Sequence, residues 1–313
     1  MRRFHGIRTL AMLFFPLIAF EMVLAAPPDA KLLSLVPPGT QLVAGAINQT
    51  HPGTSESFLM TGRNNLIDRL DFLSLAGVDD SMIIRQMIFA AGSTDPSRWG
   101  EHSILTSGHF DQDRIFKAAI QNGATVTEFK GFRVLVQQPF ERELGTFKDV
   151  RWLAVIESKV ALFGTKSSVQ QELDRYSARS AVDPLLMQKV SSLRADNATW
   201  SVLEMFDVDN GVEQVFASLD PVLANLIHDR KSFQFGVRYG KKVELEYDVS
   251  IPSAAPAQSI SDFSGQSLVA GNRNGSSPAG NGSSAHGVVK ITIAQYRAWL
   301  AECAQAAILK TGN

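Results

Sequence analysis

Between residues 31 and 252 the apolar side chains recur with the two periods of regular secondary structure. Val243, Leu245, Tyr247 and Val249 fall on one side of an extended segment, while Glu244, Glu246 and Asp248 fall on the other. Phe233, Phe235, Val237 and Tyr239 repeat that pattern just before a turn at Gly240. A period of two with one apolar side predicts an antiparallel hairpin whose polar face meets water. By contrast, Trp152 to Ile156 and Val160 to Phe163 are apolar almost throughout, which predicts strands covered on both faces. Helical spacing appears at Leu66, Ile67, Leu70 and Leu73, and again at Val212, Val215, Phe216 and Leu219. Pro221 after Asp220 suits a capped first turn and opens a further helical segment. Hairpins separated by helices predict an α+β fold: mainly antiparallel sheet with amphipathic helices.

Two stretches share one order of elements. His102 to Gly108 reads as a strand, followed by Phe110-Asp111-Gln112-Asp113, a helix to Gln121 and a hairpin at Lys130-Gly131. Thr199 to Met205 reads as a strand, followed by Phe206-Asp207-Val208-Asp209, a helix to His228 and the hairpin at Gly240. The expectation is two related strand-helix-hairpin units, 102–138 and 199–250, inside one domain spanning 26–252.

The ends of the chain have a different grammar. Arg2, Arg3 and Arg8 precede the apolar run Leu10 to Phe20, and Val23-Leu24-Ala25 supplies small residues for cleavage. That order predicts a signal peptide over 1–25. Glu21 interrupts the run after eleven residues, short of the roughly 20 that a spanning helix needs. After cleavage no membrane span is expected. Residues 253–287 are Ser, Gly, Ala, Asn and Pro with few charges or bulky apolar groups, the composition of a flexible linker. From 288 to 313 an amphipathic helix is expected, capped by Thr292, with Ile293, Tyr296, Leu300, Cys303 and Ala307 on one face. That face would dock on the parent domain, on another protein or on a second copy.

Charge narrows the partners. Residues 1–25 hold three arginines and Glu21, so the remaining chain has 27 basic and 30 acidic side chains, a net charge of −3. Nucleic acid calls for a dense basic face, and no basic run is present. The single cysteine, Cys303, excludes an intrachain disulfide and leaves stability to the core. Asn48, Asn197, Asn274 and Asn281 stand in Asn-x-Ser/Thr sequons.

The densest cluster of chemistry-bearing groups is His109, Asp111 and Asp113, a histidine and two carboxylates within five residues. Such a set can ligate a divalent metal. The competing account makes Asp111 an N-cap and Asp113 a first-turn acid that complements the helix dipole. Asp207-Val208-Asp209-Asn210-Gly211 approaches a calcium loop, but its glycine comes one residue early and Ser218 stands where a glutamate belongs. Gly164-Thr165-Lys166-Ser167 lacks the spacing of a phosphate loop, and Ser167 with Gln170 reads as a capping box. No Gly-x-Ser-x-Gly elbow occurs. His51 lies in a turn, His228 at a helix end and His286 in the linker. No catalytic residue and no cofactor is assigned.

Leu35-Val36-Pro37-Pro38-Gly39-Thr40-Gln41-Leu42-Val43-Ala44-Gly45, then Ser107 to Asp111, Phe129 to Val134 and Trp152 to Gly164, resemble in order and type large exported bacterial proteins of unknown function. The resemblance spans about residues 31–250 and implies an exported protein with no catalytic set to transfer. The expectation is therefore an exported, non-catalytic binding or structural protein of the cell envelope, periplasmic or extracellular. The alternative is a metal-assisted hydrolase with His109, Asp111 and Asp113 at the first strand-helix junction.

Overall fold

The computed structural model describes residues 28–47, 84–92, 102–138, 141–142, 145–146, 150–204, 232–251 and 283–296. The signal peptide, the helices expected around Leu66 and Val212, Asp207, Asp209, Cys303 and most of the linker lie outside them. Helix α1 (Ala30–Leu35) leads into β1 (Leu42–Ile47), β2 (Ile84–Ala91) and β3 (His102–Gly108). Helix α2 (Gln112–Gln121) is followed by β4 (Thr125–Phe129), β5 (Phe132–Gln137) and the short pair β6 (Glu141–Arg142) and β7 (Gly145–Thr146). Next come β8 (Arg151–Ile156), β9 (Val160–Thr165), α3 (Lys166–Ser177) and α4 (Pro184–Ser192). β10 (Thr199–Glu204), β11 (Ser232–Arg238), β12 (Val243–Ile251) and β13 (Ser283–Ile291) complete the described elements.

Eleven of the described strands form one antiparallel sheet in the order β13-β12-β11-β10-β1-β2-β3-β9-β8-β5-β4. This overturns the expected α+β balance: the molecule is dominated by a single sheet, and its described helices have only 6 to 12 residues. The two expected units also enter the sheet differently. β10 lies directly beside the β11–β12 hairpin, whereas β8 and β9 separate β3 from β4–β5. Local grammar was alike, but strand neighbours are set by long-range pairing that a local pattern does not encode.

Hydrophobic burial explains the middle of the sheet. β8 and β9 are buried at every position, as their unbroken apolar runs require. On one face, Val43, Ile88, Leu105, Leu162, Ala154 and Val134 build a core closed by Leu32, Leu33 and Leu35 of α1 and by Val169 and Leu173 of α3. α2 lies on the other face at the β4–β5 end, where Arg133 sits over the Phe116 ring at 4.4 Å. No helix among the described residues is long and apolar enough to cross a membrane.

The β11–β12 hairpin forms as expected, with Phe233 opposite Val249, Phe235 opposite Tyr247 and Val237 opposite Leu245. Its polar face, however, is not open to water: Gln234 and Glu246 are both 2% exposed. The segment after α4 covers it. Arg194 donates its backbone N–H to Glu246 at 2.9 Å, and Asn197 donates its side-chain amide at 2.7 Å. Around this pair Arg238 bridges Asp196 and Glu244, and Lys290 reaches Glu244 at 2.8 Å. Asn197 is itself buried over Gly236, so a glycan at that sequon is incompatible with this fold.

Two expected boundaries shift. Residues 283–287, read as linker, and 288–291, read as helix, belong to β13, which pairs with β12 along nine residues. Small residues such as Ser, Ala and Gly look like linker in isolation, yet an adjacent strand supplies the ladder that holds them extended. Helix begins after Thr292, whose hydroxyl accepts from the Gln295 N–H while the Gln295 side chain accepts from the Thr292 N–H. This capping box confirms Thr292 as the cap. The first turn docks through Tyr296, 3% exposed, against Tyr239, whereas Ile293 is 37% exposed.

β1 and β10 meet where Trp200 lies over Gly45, and a Cβ at residue 45 would come within 2.2 Å of the indole. Gly45→Ala should destabilise the chain by about 1–3 kcal/mol, the usual cost of overpacking a filled core. Equilibrium denaturation followed by tryptophan fluorescence measures it.

Candidate functional site

β9 runs into α3 without an intervening loop. Thr165, the last strand residue, caps the helix by accepting from the Ser168 N–H at 3.4 Å. The cap is therefore two residues earlier than the Ser167 expected from the sequence, because the strand leaves no loop in which Ser167 could take an extended cap conformation. Ser168 and Glu172 are four residues apart and share one helical ridge. Val169 and Leu173 sit beside them in the core, so Glu172 is carried into it.

Glu172 is fully buried, and Ser103 of β3 donates a hydrogen bond from its hydroxyl to one carboxyl oxygen. The second oxygen has no partner. Gly164 makes this approach possible, since a Cβ there would stand 2.3 Å from the His102 carbonyl oxygen and 2.8 Å from the Ser103 Cα. Loss of hydration pushes the Glu172 carboxyl up to about 8, with the Ser103 hydrogen bond acting in the opposite direction. At neutral pH Glu172 is therefore a neutral acid.

Above this pair lies a cleft of about 230 Å³. Residues 37–40 form one wall, residues 90–92 another, and Ser103, Ser168 and Gln171 complete it. Its hydroxyls are engaged within the protein: Thr40 donates to the Pro37 carbonyl at 2.7 Å, and Ser168 shares a hydrogen bond with Thr165 at 2.9 Å. A serine nucleophile would need a base. His102, next in sequence to Ser103, points to the opposite face of the sheet, where it lies near Phe89. The titratable group that Ser103 does touch is a neutral acid, so the arrangement holds α3 to β3 and shapes a small polar cleft.

The residues singled out from the sequence lie elsewhere. His109, Asp111 and Asp113 are all exposed, at the far end of β3 from Ser103, about 20 Å away at strand spacing. Asp111 is the N-cap of α2, accepting from the Arg114 N–H at 3.0 Å, and Asp113 stands 3.8 Å from Arg133. No group of three His, Cys, Asp or Glu among the described residues is placed to hold a metal ion. His286, read as a linker residue, is on β13 opposite Asp248 and 3.6 Å from Glu246. Ser103 and Glu172 were missed. The available signal was Glu172 itself, a carboxylate lying between Val169 and Leu173 on an apolar stripe.

No family model and no curated protein matches the chain. Among solved structures, crystal form I of TP0453 overlaps 90% of this chain and 99% of that one at 11% identity, with a TM-score of 0.47. Crystal form IV of TP0453 overlaps 72% and 81% at 10% identity, with a TM-score of 0.39. Superpositions this loose say nothing about function.

Two measurements test the site. Between the ordinary carboxyl value of 4.5 and about 8, folded Glu172 keeps a proton that the unfolded chain has released. Stability should therefore fall as pH rises through that window, by at most about 1.4 kcal/mol per pH unit, and level off above it. Glu172→Gln should flatten this slope, as read by denaturant unfolding at a series of pH values. At the other end of β3, Asp111→Ala should cost about 0.5–2 kcal/mol as a lost cap. Thermal melts of the wild type should then be unmoved by zinc, manganese or chelator, whereas a ligand role for His109 requires a metal-dependent rise.

Proposed function

We propose that this chain is an exported, non-catalytic binding or structural protein of the cell envelope. The observation that carries the non-catalytic part is the Ser103–Glu172 contact. The Ser103 hydroxyl donates to the Glu172 carboxyl, Thr40 and Ser168 are bonded within the protein, and burial pushes the carboxyl up, so no charged base stands beside Ser103 to activate it. A binding role suits a small, mainly polar cleft framed by a turn, two strand ends and a helix.

Export rests on the order of charge, apolar run and small residues at the start of the chain. The sequence resemblance to large exported bacterial proteins of unknown function supports the same reading. Cleavage after Ala25 leaves Ala26-Pro27 at the new N-terminus, whereas cleavage one residue later would set proline next to the scissile bond. N-terminal sequencing of the chain expressed in a bacterial host, with fractionation of the cells, tests this. Ala26 as the first residue in the periplasmic or extracellular fraction is expected. Recovery of Met1, or of the full-length chain held in the membrane, overturns it.

A further inference from the structure

Among the described residues β4 ends the sheet with a bare edge. It pairs with β5 alone among the described strands, and Thr125, Val126, Thr127 and Glu128 are all exposed. The turn at Lys130 (φ 49°) and Gly131 (φ 85°) fixes which backbone groups are left over. A two-residue turn with both residues at positive φ closes on a hydrogen-bonded pair, here Phe129 and Phe132. Alternation then makes Thr127–Val134 and Thr125–Val136 hydrogen-bonded pairs as well. The N–H and C=O groups of Val126 and Glu128 therefore point away from the sheet. The strand holds no proline and no bulge, and Glu128 is its single charged residue among the usual guards of such an edge.

We propose that β4 pairs with β4 of a second copy, antiparallel about a two-fold axis at Thr127. In that register Val126 of each chain faces Glu128 of the other, and all four outward groups on each strand are used. The remaining side chains agree with it. Thr127 meets its own symmetry mate as a non-hydrogen-bonded threonine pair, and Thr125 lies opposite the second copy's Phe129, a β-branched residue against an aromatic ring. The two Glu128 carboxylates are not directly opposite, and each keeps Arg133 of its own chain as cross-strand neighbour. Self-pairing about a two-fold axis also closes this edge of the sheet, leaving no free β4 strand to which a third copy could add. A foreign strand would have to be selected by side-chain pockets. β4 instead offers a flat row of threonines, one valine and one glutamate, which its own sequence matches.

Sedimentation velocity on the purified full chain, from low micromolar to submillimolar concentration, reads the equilibrium. A monomer–dimer mixture is expected. Val126→Pro removes an N–H that no bond within the sheet uses, and Thr127→Lys sets two like charges across the axis while keeping every backbone group. Each should raise the dimer dissociation constant about tenfold or more with the melting temperature little changed, and the lysine variant stands if the proline variant misfolds. In a Cys303→Ser background, oxidised Thr127→Cys should give a covalent dimer linked through position 127, and Thr125→Cys should not. A chain that stays monomeric throughout overturns the proposal. So does a dimer that neither variant weakens, which would move self-association to another surface such as the C-terminal helix.

Discussion

The fold depends on one long-range ladder, β1 against β10. Leu42 to Ala46 pairs with Thr199 to Leu203, joining the strands of the first half of the chain to the β10–β13 series. Without it there would be two smaller sheets, each with an extra edge. The joint works because Gly45 has no side chain, so the Trp200 indole can lie flat across β1 and fill the core beside Ile88 and Leu105. A contact of such sequence separation costs loop entropy before any local element is rewarded for it. Burial of a large aromatic side chain at the joint helps offset that cost.

Once the sheet is continuous, its faces acquire different chemistry along their length. One transverse row runs from His286 through Asp248 and Gln234 to Val202, then through Val43 and Ala90 to Ser103, Gly164 and Trp152. The polar end of this face is covered by the segment after α4, whose backbone and Asn197 side chain satisfy Glu246. The middle is covered by α1 and α3. Ser103 falls where the apolar middle meets the rim, and there the helix brings Glu172 down upon it. The cleft is thus a product of the join between the turn after α1, α3 and the strand ends, with a neutral acid beneath its floor.

The strand pairings within hairpins, the coverage of β8 and β9, the caps at Asp111 and Thr292 and the turn at Lys130-Gly131 were all legible in the sequence. Each is a local matter: a side-chain period of two, a hydroxyl or carboxylate placed before a helix, a glycine where φ is positive. The candidate site was not legible in the same way. Ser103 is one serine in an apolar strand and Glu172 one acid in a helix, and their meeting depends on β3 and β9 being neighbours across a residue-164 glycine. His109, Asp111 and Asp113 drew attention because they are adjacent in sequence, which says little about convergence in space.

What the sequence by itself determined is therefore a part of the strand set, β3 to β5 and β8 to β12, and the caps at Asp111 and Thr292, because these follow from nearest neighbours and from periodicity. What only the tertiary structure decided is which strands lie side by side, that the polar face of β11–β12 is buried, and that β13 belongs to the sheet. The physical reason is common to all three. Backbone hydrogen bonds and burial are satisfied by whatever the chain brings alongside, and a strand of serine, alanine and glycine or a row of glutamates carries no mark of its distant partner.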